Sequence, residues 1–284
     1  MLRRIDHFKL GTLLRTFWRR IALTWLMLVA ETSLFAILPL MIGFAIDDLL
    51  SGSNKGLVHL AIVLGTLLFV AVGRRVYDTR AYSAVRVAMG IQLNRRFPDM
   101  PVSSKTARQD MARELVDFLE LQLPELMTAV VRIAAALILL AFFHLWLSLS
   151  AVIAAVVMLL IYTAAHKRFY RLNGALNQQK EKQVSILTDG RPFAFARHLR
   201  ALRKHEVRLS DTEAVVYGLI YLGLMSFVIF NLWFASTLIN ISAGSIFSIV
   251  TYSLEFLEAA VALPVALQAL TRLSEISSRI NKSE

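Results

Sequence analysis

The sequence holds no cysteine and, in 284 residues, only 12 glycines and 6 prolines. Without cysteine there is no disulfide scaffold, no Cys-ligated zinc site and no thiol nucleophile. No G-x-x-x-x-G-K-[ST] pattern occurs, so no loop is built to cradle the phosphates of a nucleotide. The 6 histidines include no pair spaced as metal ligands beside acids. His198 and His205 lie among Arg and Lys, so no metal site is expected. No nucleophile–base arrangement can be read, and this chain is not expected to be an enzyme. Acid is scarce too: 20 Asp and Glu stand against 31 Lys and Arg, a net charge of +11. In a soluble protein that excess would suggest nucleic acid. Here its placement argues against that reading.

Apolar residues make up 57% of the chain and mean hydropathy is +0.59, above the ordinary range of soluble domains. The excess lies in six blocks long enough to cross about 30 Å of hydrocarbon, at about 21–46, 57–82, 124–143, 145–165, 214–239 and 245–272. The second is apolar only to Gly73, and its helix is expected to continue through Arg74 and Tyr77. The third and fourth are separated by His144 alone, which predicts a tight hairpin at His144–Trp146 rather than one very long helix. The N-terminal stretch is basic and precedes an apolar run. That run is too long for a signal peptide, carries Glu31 and lacks a small-residue cleavage site, so it reads as a retained first span.

The segments between blocks alternate. Asp47–Gly56, the His144 turn and Asn240–Gly244 are short. The N-terminus, Arg74–Leu123, His166–Glu213 and the tail are basic, and together hold 29 of the 31 Lys and Arg residues. Only Lys55 lies on the other side, and Arg132 lies within a span. The positive-inside rule then places both termini in the cytoplasm. The high pI becomes a topology signal, with a modest attraction to anionic lipid. Each long inner loop reads as two helices around a short reversal, near Pro98 and Pro101 in the first and at Asp189–Pro192 in the second. The natural reading is that membrane helices continue into the cytoplasm and turn back.

Ionisable groups at membrane depth cost about 2.5–3.5 kcal/mol each on insertion scales, and so are candidates for function. Glu31, Arg132, Glu255 and Glu258 are such groups. Glu255 and Glu258 are three apart and share a helix face, where they could exchange protons or hold a cation. The competing reading is static pairing with Arg132 in support of helix packing. Pro39 and Pro264 can kink spans one and six. Trp25, Trp146 and Trp233, with Tyr162 and Tyr217, read as interface anchors. Phe193 and Phe195 are unusual in a cytoplasmic reversal, and suggest either a docking surface or packing on the neighbouring loop.

Three local stretches add to this plan: VRVAMGIQLNRRF (Val85–Phe97), DGRPFAFARHLRALRKHE (Asp189–Glu206) and LPVALQALTRLSEISSRI (Leu263–Ile280). With the six spans and the two long inner loops, they resemble the six-helix transmembrane domain of exporter-type (type IV) ABC transporters, without the ATPase domain. The resemblance implies an all-α membrane fold over residues 1–284 as a single domain, in a homodimer or heterodimer with a central cavity. It makes Lys105, Arg108, Phe193, Phe195 and Arg197 candidates for coupling to an ATPase. Lys105-Thr106-Ala107-Arg108 stands where the family usually carries a Thr-Gly-Glu-like turn. In the family an ATPase domain normally follows the sixth helix, and none follows within this sequence. The expectation is therefore a permease half for a small molecule or peptide in a bacterial inner membrane. ATP and Mg would enter only through a separate ATPase subunit. The alternatives are a proton-coupled transporter of the same fold, using Glu31, Glu255 and Glu258, and a non-transporting scaffold or regulatory subunit.

Overall fold

A computed structural model describes residues 10–96, 102–188, 192–238 and 241–281. Side chains at 10–14, 96, 103–105, 107–108, 111, 184 and 263–281 lie outside that description. The elements are α1 (Leu10–Leu50), α2 (Lys55–Arg96), α3 (Val102–Asp117), a π-turn (Phe118–Gln122), α4 (Leu123–Phe143), α5 (Leu145–Thr188), α6 (Pro192–Thr237) and α7 (Ala243–Asn281). No strand occurs among the described residues. Among the described residues, six helices are long and apolar enough to cross a membrane. In hydrocarbon every backbone group must be satisfied within its own segment, which is why such runs become helices.

The helices outrun the membrane. α5 has 44 residues and α6 has 46, which at 1.5 Å per residue is roughly 65–70 Å. α2 likewise runs unbroken from its apolar half into its basic half. The two long basic segments are therefore extensions of the spans rather than separate surface hairpins. The reversals expected around Pro98, Pro101 and Asp189–Arg191 fall outside the described residues. Pro192 opens α6 as its first helical residue, where the missing N–H costs nothing. His144 is extended (φ −165°, ψ 136°) between α4 and α5, which rules out one continuous helix there.

Two compact units emerge. One contains α1–α4 and α7; the other is formed by α5 and α6 over Leu149–Phe234. In the first, α1 is packed on α2, α7 and α4. The end that holds the start of α1 closes on a core of Ile21, Tyr82, Val85, Met89, Leu93, Leu115 and Leu119, with Phe17 and Trp25 against it. Burying each such side chain contributes about 1.5–3 kcal/mol. In the second unit Ser150 Oγ donates to Asn231 Oδ1 at 2.6 Å, and Gln179 Nε2 lies 2.9 Å from His198 Nδ1. Asn231 is fully buried, so this bond satisfies a group that would otherwise be costly.

The π-turn has a local cause. Pro124 follows at the start of α4. Its ring would clash with the carbonyl of residue 120 in a regular α-helix. One extra residue in the turn relieves that clash.

Candidate functional site

Charged side chains gather at three levels of the first unit. At the first, Arg132 of α4 lies 4.0 Å from Glu258 of α7. Its guanidinium carbon sits 5.0 Å from the centroid of the Phe35 ring on α1, a distance at which the ring face attracts a cation. Its Nε is buried without a partner among the described residues. The Glu258 side chain is 71% exposed. Glu255, one turn away, feels the charges of Arg132 and Glu258. It has no hydrogen bond or ion pair among the described residues.

At the second level, Arg74 of α2 donates from Nε and Nη2 to the two carboxylate oxygens of Glu31 on α1. Arg74 also bonds Asp78 one turn along its own helix at 2.8 Å. Glu31 is thus held in a fork rather than left open. At the third, Arg86 of α2 grips Asp117 at 2.6 Å and also Glu120. Glu120 belongs to the π-turn, so the turn forced by Pro124 helps aim it at α2.

The end of the unit where α1 stops and α7 starts is clasped by hydrogen bonds. Asp47, near the end of α1, accepts hydrogen bonds from Ser242 Oγ (2.6 Å) and Gly244 N–H (2.9 Å). It therefore caps the N-terminus of α7 from another helix. Ser242 also caps α7 directly, accepting from Ser245 N–H at 3.1 Å, as N-cap serines do. α1 itself ends on Gly52 at φ +81°. Ser53 N–H bonds Asp48 O (2.8 Å) and Gly52 N–H bonds Leu49 O (3.1 Å), a Schellman ending that requires the left-handed residue.

Further in, Ser248 Oγ donates to Pro39 O at 2.9 Å. The hydroxyl of buried Tyr252 donates to Ala36 O at 3.0 Å and accepts from Leu40 N–H at 3.2 Å. Pro39 disturbs one turn of α1, and α7 inserts a hydroxyl between the carbonyl and amide of that turn. Tyr252→Phe is expected to cost about 1–3 kcal/mol, since a buried carbonyl and a part-buried amide lose a partner. Thermal unfolding of the purified chain measures this, and an unchanged transition would show that the hydroxyl is dispensable.

The sequence matches the family described as ABC transporter transmembrane region over residues 10–244. The chain belongs to that family. No curated protein matches it. The match runs from α1 to the start of α7 and so covers all but one of the helices in full. The work of such a region is transport across a membrane.

In this ABC transporter transmembrane region, three of the coupling candidates stand at the start of α6 in the second unit. Phe193 is 93% exposed at the start of α6. Phe195 is half-buried and Arg197 exposed, and the Phe195 ring stacks on buried His198 at 6.5 Å. The side chains of Lys105 and Arg108 lie outside the described residues. The structure brings together Arg132, Glu255 and Glu258, and gives Glu31 a different partner. Sequence reading missed Arg74, Asp78, Arg86, Asp117, Glu120, Asp47 and Tyr252. One local signal was present for Arg74 and Asp78, an Arg and an Asp four apart on a helix. For the others the partner lies in another element, and no local pattern announces it.

Proposed function

We propose that the chain is the permease half of a transporter for a small molecule or peptide. In this reading two halves enclose a central cavity, and an ATPase domain outside these 284 residues docks on the inner reversals. One observation carries it: Glu258 is 71% exposed beside Arg132 at membrane depth. A carboxylate so exposed to hydrocarbon would be costly. The face formed by α4 and α7 is therefore read as facing water and a second half rather than lipid. Exposed Phe193 is the contact offered to the ATPase, and ATP chemistry resides there and not in this chain. The Lys and Arg asymmetry supports a bacterial inner membrane with the helical extensions in the cytoplasm.

A second reading has its own support. Glu255 has no ion-pair or hydrogen-bond partner among the described residues, as a proton carrier would require. Here the proton gradient drives transport.

Proteoliposomes separate the two. In the first reading, uptake or efflux requires ATP and the ATPase, and Glu258→Gln lowers it about tenfold, the effect of losing one charged contact worth about 1.5 kcal/mol. In the second, an imposed pH gradient suffices and Glu255→Gln abolishes the coupling. Absence of transport under both conditions, with correctly folded protein, would favour a scaffold or regulatory role and sink the proposal.

A further inference from the structure

The inner end of α1 carries a feature that neither the charge clusters nor the clasp uses. Residues 7–30 contain no acid, but they hold Lys9, Arg15, Arg19 and Arg20. The helix is interrupted at Phe17 (φ −110°, ψ 19°). Phe17 is packed on the inner core beside Ile21. Arg15, Trp18, Arg19 and Arg20 are all exposed, and a cavity of about 460 Å³ opens among residues 15–20. Trp18 is 59% exposed, with the Arg19 guanidinium 5.7 Å from its ring centroid. None of the three arginines has an ion pair among the described residues.

The next turns of α1 fix the depth of this patch. Leu23 and Leu26 are 41% and 66% exposed, an apolar surface suited to acyl chains. From Arg19 to Leu26 is seven residues, about 10 Å along a helix. The arginines therefore stand at the level where acyl chains give way to headgroups. Exposed Trp prefers that level, and so do the ends of long cationic side chains.

We propose that Arg15, Trp18 and Arg19 form a site for the headgroup of an anionic phospholipid. The guanidinium groups take the phosphodiester, and the indole lies at the base of the headgroup against the first methylenes. The break at Phe17 turns one side of the segment onto the core, while the basic side stays on the lipid. The inference rests on membrane insertion alone and holds whichever energy source drives the transporter.

The test uses the full chain in a neutral detergent at 0.15 M salt, a condition chosen because it screens loose charge attraction beyond about 8 Å. Phosphatidylglycerol or phosphatidylcholine is titrated in, and the first bound lipid is counted by native mass spectrometry. The expected result is tight binding of phosphatidylglycerol, weakened about thirtyfold in R15Q/R19Q, at roughly 1 kcal/mol per arginine. Phosphatidylcholine should bind the two proteins alike. Equal binding of both lipids to the unaltered chain would overturn the proposal, and so would an anionic preference that survives in R15Q/R19Q. Displacement of the lipid by millimolar inorganic phosphate would assign the site to a free anion instead. R15K/R19K keeps the charges, and its retained preference would show that a loss in R15Q/R19Q is not misfolding.

Discussion

Gly244→Ala is expected to destabilise the protein by about 3–5 kcal/mol, a change large enough to deplete folded material. A Cβ at position 244 would lie 1.9 Å from Gly43 O, 2.6 Å from Gly43 C and 2.7 Å from Asp47 Oδ2. Two of those three atoms are backbone, so no rotamer change relieves the clash, and α1 and α7 must move apart. Overpacking alone costs about 1–3 kcal/mol. The separation also strains the Asp47 bonds to Ser242 and Gly244 and the Ser248 bond to Pro39, each worth about 1 kcal/mol. Gly43→Ala should behave alike, since its Cβ would meet Gly244 O at 2.6 Å. Gly65 is the control: nothing lies within 4 Å of its Cβ position. There alanine should be neutral, or stabilising by about 0.5–1 kcal/mol through helix propensity. Thermal unfolding and size-exclusion profiles of the three variants decide it. Equal melting of Gly244→Ala and Gly65→Ala would remove the close crossing from the account.

Arg74→Gln is expected to cost about 3 kcal/mol. Removing one partner of a buried pair costs about 3–5 kcal/mol, because the other charge is left uncompensated. The Arg74 and Glu31 side chains are 24% and 22% exposed, so the lower end of that range applies. Two acids are stranded rather than one, since Asp78 shares the same guanidinium. The double variant Arg74→Gln/Glu31→Gln should recover more than half of the loss. Failure of the double variant to recover stability would show that the pair is not the source. The same logic applies to Arg86, which neutralises Asp117 and Glu120.

The spans were legible because hydropathy is a property of each block alone. The break at His144 was legible for the same reason, as one polar residue divides two apolar runs. The extensions followed from the scarcity of helix breakers between Arg74 and Arg96, where Gly90 stands alone and no proline occurs. The charge clusters were legible only in part. Glu31 and Arg132 stand out in apolar surroundings, but the identity of a partner depends on how two helices are rotated against each other. Glu31 meets Arg74, 43 residues away, and neither helix alone encodes that rotation. Tyr252 was hidden differently. Its ring suits any apolar helix, and its role lies in one oxygen placed against the backbone of α1. The π-turn could be anticipated only by asking what Pro124 does to the carbonyl four residues earlier.

The hydroxyl at the Pro39 turn also bears on how the protein is made. Leu40 and Tyr252 are 212 positions apart. At about 5–20 residues per second, a ribosome needs roughly 10–40 s to bridge that interval. The first span therefore enters the bilayer with its proline turn still lacking the oxygen that α7 later supplies. Through most of synthesis that stretch depends on water, lipid or the insertion machinery. The completed turn is thus a late event of biogenesis, and it marks when the first and last spans of the unit have found each other.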